Sequence, residues 1–445
     1  MSLSTIQLTK LTEAAYFYGF PLVFNLEQVY RYVTTGIGAN EAATFNTFSH
    51  AKTLGGPKDT FVSLNNDTVY SMAQLDLSVG PLILTVPDTG GRYYVLQFVD
   101  AWTNNFAYVG TRSTGTKSGS FYLTPPNWTG IVPKGMIQIK IPTRIASIVG
   151  RWACDNTDDL KNVIKLQKQT NLTALNSTAK PIGLPIWDTS VSKDIQFFEK
   201  MRAAMWDLLP AEIDRPLQES FAPLQLVRDR SLANVDNDLH SILAKGSTDG
   251  HSAVAYYLNH GTSKVENGWH LVFHAFDYNA SFFEVGTVND PKWIINNRKN
   301  AIAERAVAAM GGLWGNHAYE AAYIMISEDM DGNVLNGTNT YTLTLNPPPP
   351  VGAFWSVTMY NVPEYYMVDN SINRYSIGDR TQGIKYAKDG SLTITISYEE
   401  PSDDLEKSNW LPAPNGDFRP VLRMYMPGEE ILKGEYHFPG IIKTN

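Results

Sequence analysis

The segment NNDTVYSMAQLDLS (65–78) places two carboxylates, Asp67 and Asp76, around a phenol, Tyr70. A carboxylate held within hydrogen-bond reach of a substrate proton can act as general acid or base. The same residue types also make turns, because Asn and Asp side chains bond their own nearby backbone. Downstream stand Arg92, Asp100, Asn104, Arg112 and Arg151. Arginine is seldom buried unless paired, so these side chains need partners. Two readings follow. Either Arg–Asp locks fix the fold, or the groups line a polar pocket for an anionic or hydroxyl-rich ligand. On the second reading Asp67 is the acid or base, Tyr70 its hydrogen-bond partner, and Arg92 or Arg112 the electrostatic stabiliser. Asp100, Asn104 and Arg151 would then bind the ligand. The C-terminal part repeats the pattern with Tyr360, Arg374, Asp379, Arg380 and Trp410, followed by Arg423. Aromatic platforms beside polar forks suit sugars and other small polar ligands, and suit subunit interfaces as well.

Other chemistries find less support. No phosphate loop, dinucleotide fingerprint or GxSxG elbow is present, so no cofactor is expected. HLVFH (270–274) has the spacing at which two histidines on one helix face ligate zinc, but it lacks the glutamate of HExxH. Its Phe and Trp neighbours predict burial and a structural role. DMDGNVLNG (329–337) resembles the start of a calcium loop, yet its glycine comes too early and no glutamate closes it. A turn between strands is the better reading, and no metal is expected. Cys154, the one cysteine, reads as a small buried apolar residue and excludes an intrachain disulfide.

Elements must hold these groups. Apolar spacing predicts a helix over about 5–34, broken or kinked at Pro21. From about 54 to 143 the pattern alternates, as in PLILTV, RYYVLQFV and MIQIKI, between Gly/Pro turns. The middle reads as helical: Thr157 as an N-cap, an apolar stripe through Ile195, Phe198, Met201, Met205 and Leu208, a helix over about 231–245 stopped by Gly246, and another ending at Gly311-Gly312. Beyond about 323 the alternation returns in TYTLTL, FWSVTMY, GSLTITISY and VLRMYMP. The expected fold is mainly β with helical segments: two β-sandwich or jelly-roll-like domains joined by a helical insert. The expected divisions are a helical segment 1–50, a β-domain 51–150, a helical middle 151–320 and a β-domain 321–445.

The chain has 445 residues, room for two or three cores. Charged residues make up 18%, below the usual ~25%, and the net charge of -8 without a basic cluster argues against nucleic-acid binding. No apolar run approaches the ~20 residues of a membrane span.

Longer motifs carry a resemblance. NNDTVYS, LDLSVGP, GRYYVLQFVDAWTNNF and GTRSTG resemble the domain of unknown function 1254. PPPPVGAFWSVTMYN, NSINRYSIGDRT, DGSLTITI, NWLPAP and RMYMP resemble the domain of unknown function 1214, in the family's order. The resemblance implies two jelly-roll-like domains, a homo-oligomer, and a secreted or periplasmic location in preference to a cytoplasmic one. It implies no particular reaction. The leading expectation is an enzyme acting on a small polar or carbohydrate-like substrate in a cleft between the β-domains. Its rival is a non-catalytic binding or assembly module.

Overall fold

The computed structural model describes residues 3–59, 62–261 and 263–444. Its strands are β1 Phe48–His50, β2 Thr68–Asp76, β3 Leu82–Val86, β4 Tyr94–Asp100, β5 Asn105–Gly110, β6 Gly119–Thr124, β7 Ile137–Lys140, β8 Ile145–Ala153 and β9 Asn171–Ala174 in the first part. The second part has β10 Lys264–Glu266, β11 Trp269–Leu271, β12 Ala321–Ile326, β13 Tyr341–Leu345, β14 Val351–Thr358, β15 Ser376–Gly378, β16 Leu392–Ser397, β17 Trp410–Pro412, β18 Val421–Pro427 and β19 Ile442–Lys443. The helices are α1 Thr5–Thr34, α2 Leu160–Gln167, α3 Gln196–Asp207, α4 Arg215–Glu219, α5 Asn237–His260, α6 Arg298–Gly311, α7 Asp404–Ser408 and α8 Glu429–Leu432.

The strands form two sandwiches, as the alternation predicts. In the first, a sheet ordered β1-β2-β8-β4-β5 packs on one ordered β7-β6-β3-β9 through Leu75, Leu84, Leu96, Phe98, Phe121 and Ile148. In the second, β10-β11-β12-β18-β14-β15 packs on β17-β16-β13-β19 through Ile324, Leu343, Trp355, Ile394 and Leu422. Strands β9, β10 and β11 come from the stretch expected to be helical, so both sandwiches draw on the middle of the chain.

The five-stranded sheet is covered on both faces. At one end of its outer face Met72, Val99 and Val149 join α1, α3, α5 and α6 in a helical core. At the other end Tyr93, Val95 and Tyr108 pack with Phe354 and Tyr425 of the second sandwich. This double covering is why β4 and β8 are buried along their whole length.

Several sequence expectations need correction. Helix α1 runs unbroken through Pro21. Around it Tyr18 to Val23 are all buried, and such packing outweighs the ~3 kcal/mol an interior proline costs. Gly246 does not stop its helix: α5 is capped by Asp236 and continues to His260. A Cβ on Gly246 would lie 2.1 Å from Thr12 Cγ2, and one on Gly250 2.4 Å from Tyr16 Cγ. These glycines let α5 lie close against α1. Thr157 is not a cap; α2 begins at Leu160, and Asn156 Oδ1 receives the amides of Asp158 and Asp159 instead. Ile137, on an edge strand, is exposed, whereas Ile139 and Ile141 are buried. The apolar stripe from Ile195 to Leu208 is buried throughout, and so is Cys154, whose thiol burial pushes up to about 11.

HLVFH is not helical. His270 lies on β11 and bonds Ser263 Oγ at 3.0 Å, and His274 sits in the following turn with Nδ1 2.7 Å from Asp277 Oδ2. Both histidines are exposed, contrary to the expected burial. Asp329 organises a turn, its Oδ1 accepting the amides of Asp331 and Asn333 at 3.0 and 2.9 Å.

Candidate functional site

Asn65 organises the turn that leads into β2. Its Oδ1 accepts the amides of Asp67 (2.9 Å) and Thr68 (3.0 Å), and its Nδ2 donates to Tyr70 Oη at 2.7 Å. The turn aims Asp67 across the domain boundary. Asp67 Oδ2 accepts from Ser356 Oγ at 2.8 Å and from Tyr425 Oη at 3.2 Å, both on the second sandwich.

Register then assembles the rest. Tyr70 on β2 lies opposite Arg151 on β8, whose guanidinium stands 5.5 Å from the Tyr70 ring centroid. Arg151 is 6% exposed. It donates to Gln97 Oε1 (2.8 Å), Trp314 O (2.8 Å) and Asn316 Oδ1 (3.4 Å). All three acceptors are neutral, and among the described residues Arg151 forms no ion pair. Asn316 in turn donates to Tyr323 Oη at 3.0 Å. Tyr323 lies opposite Arg423, and Arg423 opposite Ser356, on the facing sheet. Arg423 donates to Thr358 Oγ1 (2.9 Å) and Ser63 O (2.7 Å), again without an ion pair.

Burial raises the Tyr323, Tyr360 and Tyr425 phenols above their ordinary range, so at neutral pH they carry their protons. Tyr70 and Tyr323 are half-buried. Tyr32 of α1 closes one side, its ring 5.5 Å from that of Trp314. The result is a polar seam between sandwiches, lined by phenols and two guanidinia around one buried carboxylate.

Of the residues singled out from sequence, the structure brings Asp67, Tyr70, Arg151 and Tyr360 to this seam. Tyr360 donates to Leu64 O at 2.6 Å. Arg380 stands at its edge, donating to Asp67 O (3.1 Å), pairing with Asp155 (3.0 Å) and lying 3.5 Å from the Phe354 ring centroid. The others serve elsewhere. Arg92 is paired bidentately with Asp159 and lines a shallow hollow of about 310 Å³ with Asp88 and Lys165. Its arginine is already neutralised, which makes it a weaker candidate than the seam. Arg112 is committed to Glu320 at 2.5 Å. Asp100 accepts from Asn104 Nδ2 at 2.8 Å, and Asn104 Oδ1 from Arg305 at 2.8 Å, in a network beneath α6. Arg374 donates to Ser408 O and Trp410 O, Trp410 to Ser397 O, and Asp379 accepts the Trp355 amide; these bonds hold the second sandwich together.

Sequence reasoning missed Tyr32, Asn316, Tyr323 and, beside Arg423 at the seam's border, Arg419, whose Nη2 donates to Ser63 Oγ at 2.8 Å. The alternation of Arg419, Val421, Arg423 and Tyr425 was a visible signal for the last of these; Asn316, in a loop, offered none. Among the described residues no group of three His, Cys, Asp or Glu side chains is placed to hold a metal ion, and no helix is long and apolar enough to cross a membrane.

Comparison with known proteins agrees with this architecture. Residues 45–174 match the family described as Protein of unknown function (DUF1254), and residues 320–429 match Protein of unknown function (DUF1214). No curated protein matches the chain. The crystal structure of the VPA0106 protein from Vibrio parahaemolyticus is similar over 98% of this chain and 100% of its own, at 24% identity and a TM-score of 0.76. An uncharacterized protein from Burkholderia cenocepacia is aligned over 99% of this chain and 94% of its own, at 10% identity and a TM-score of 0.43. With both domains present in order on one polypeptide, the chain belongs to the tandem DUF1254/DUF1214 family.

Proposed function

We propose that the seam binds a small anionic, hydroxyl-bearing molecule and that the protein is an enzyme acting on it by acid/base chemistry. The observation that carries this reading is Arg151: a buried guanidinium with only neutral acceptors, beside two half-buried phenols. A buried cation without a counter-charge is costly, and an anionic ligand group would supply one. Tyr70 Oη already accepts the Asn65 amide hydrogen, so its own proton is free to turn toward a ligand oxygen. Asp67 has two hydroxyl donors on Oδ2 and is the seam's proton acceptor. Sugar acids and other hydroxy acids combine the required charge and hydroxyls, and the simplest use of such a pair is a hydrolase-like reaction on their glycosides, esters or lactones, in which Asp67 takes a proton from the attacking water and Tyr70 gives its proton to the departing oxygen.

Thermal-shift measurements on a panel of sugar acids, hydroxy acids and neutral sugars, with turnover measured on their glycosides, esters and lactones, test this. We expect the acids to stabilise the protein and Arg151→Gln to abolish that effect. Asp67→Asn and Tyr70→Phe should keep binding while lowering turnover by about 100-fold or more. Unchanged binding in Arg151→Gln would remove the seam as the site.

The second reading is a non-catalytic module in a homo-oligomer. It draws on Arg92, Arg112, Arg374 and Arg380, each satisfied within the chain. Ligand binding without turnover of any panel member, unaffected by Asp67→Asn, would favour it.

A further inference from the structure

We infer that the helical layer holds a second ligand site, for a small aromatic molecule bearing one hydrogen-bond-accepting oxygen. Where α1, α3, α5 and α6 meet they leave a hollow of about 380 Å³, which shares no lining residue with the seam. That volume lies toward the small end of ligand pockets, which run from about 300 to 1,000 Å³. Its wall is a row of rings. Tyr16, Phe20 and Phe24 stand four residues apart on α1 and so share one face. The Tyr16 ring stacks on Phe20 at 5.8 Å and Phe20 on Phe24 at 5.5 Å, while Phe197 of α3 stacks on Tyr16 at 4.2 Å. Met310 of α6 lines the same hollow. Rings in offset stacks accept a further flat ring, and a thioether packs well beside one.

The polar end of Tyr16 sets the ligand's polar group. Tyr16 is 4% exposed, yet among the described residues its hydroxyl has no hydrogen-bond partner. The base of its ring rests on α5, where a Cβ on Gly250 would lie 2.4 Å from Tyr16 Cγ. With the ring base against that glycine, the hydroxyl end is the part left to the hollow. Burial, with the Glu27 charge nearby, pushes this phenol above its ordinary range, so it keeps its proton and offers a donor. A buried donor without an acceptor is costly, and a ligand oxygen would satisfy it. The charges of the lining nearly cancel. Glu27 and Lys200 pair with each other at 2.7 Å. Lys193, just before α3, makes no ion pair among the described residues, while its neighbour Asp194 is turned to Ser192 and His240. One hydroxyl donor and one free ammonium fit a neutral carbonyl or a single carboxylate. The shared chemistry is therefore an aromatic ring carrying an acceptor oxygen.

Isothermal titration calorimetry on the full chain compares benzoate and benzamide with acetate and acetamide. We expect at least one aromatic probe to bind about 10-fold or more tighter than its methyl counterpart. Tighter benzoate indicates a carboxylate beside Lys193, and benzamide at least as tight as benzoate indicates a neutral carbonyl. Tyr16→Phe keeps the ring and removes only the unpartnered hydroxyl, so the variant should fold as the wild type does and bind the aromatic probe about fivefold more weakly. Arg151→Gln should leave that binding unchanged, because Arg151 belongs to the seam. Equal affinity for aromatic and methyl probes overturns the inference, as does a complete failure of the aromatic probes to bind. Binding that Tyr16→Phe leaves intact also overturns it. Binding that Arg151→Gln abolishes would put the probes in the seam and overturn it too.

Discussion

At the scale of single residues, His317 shows how burial sets chemistry. It is 4% exposed, and its Nδ1 lies 3.0 Å from Tyr108 Oη and 2.9 Å from Tyr319 Oη. Burial, with Arg112 nearby, pushes its pKa down to about 3. A histidine depressed on folding stabilises the native state fully above its ordinary pKa of 6.5 and loses that contribution as pH falls toward the folded value. His50, lowered by burial to about 4, acts in the same direction. Asp100 opposes them. Burial raises it to about 6, so its stabilisation is full below 3.8 and lost as pH rises through 6. The informative comparison is therefore between variants. Unfolding free energies from urea denaturation between pH 7 and pH 4 should fall less steeply for His317→Gln than for wild type, by up to about 1.4 kcal/mol per pH unit. Parallel profiles would clear His317 of any part in acid sensitivity.

At the scale of elements, glycine was the residue most open to misreading. A glycine within a helical pattern reads as a stop because it favours helix ends. In α5, Gly246 and Gly250 instead face α1, where any side chain would collide with Thr12 or Tyr16. Gly250→Ala tests this. Helix propensity alone would add up to about 1 kcal/mol of stability. Overpacking against the Tyr16 ring costs about 1–3 kcal/mol, so a net loss of about 1 kcal/mol is expected in equilibrium urea denaturation. A neutral or stabilising result would show that the two helices have room to part. The strands behaved more simply. Leu82, Leu84 and Val86 are buried while Ile83 and Thr85 between them are partly exposed, because successive side chains point to opposite faces and only one face of β3 enters the core.

At the scale of the whole molecule, the sandwiches are joined by polar contacts as well as apolar ones. Arg112 of the first meets Glu320, just before β12 of the second, and Tyr93 Oη donates to the same carboxylate at 2.9 Å. Burial raises Glu320 while the Arg112 charge and hydrogen bond oppose that rise. Removing one partner of such a pair strands the other. Arg112→Met should therefore cost about 3 kcal/mol, and Arg112→Met/Glu320→Leu should recover most of it. Denaturation midpoints of the two variants and wild type decide the matter: a single variant within ~0.5 kcal/mol of wild type would mean that the pair does not hold the domains together.

Local periodicity, turn chemistry and the long motifs were enough to establish two β-sandwiches, the first helix, the helical stripe through Met201 and the family. They also pointed to Asp67 and Tyr70 as a pair, because both belong to one short turn and strand. Which arginines are paired was beyond their reach. Arg92 and Arg151 look alike in sequence, yet one meets Asp159 and the other only neutral acceptors. Asp67 and Ser356 are 289 positions apart and bond across the seam. Pairing of this kind depends on how two separately folded sheets dock, and that geometry is set by the packing of their faces, which no spacing along the chain encodes.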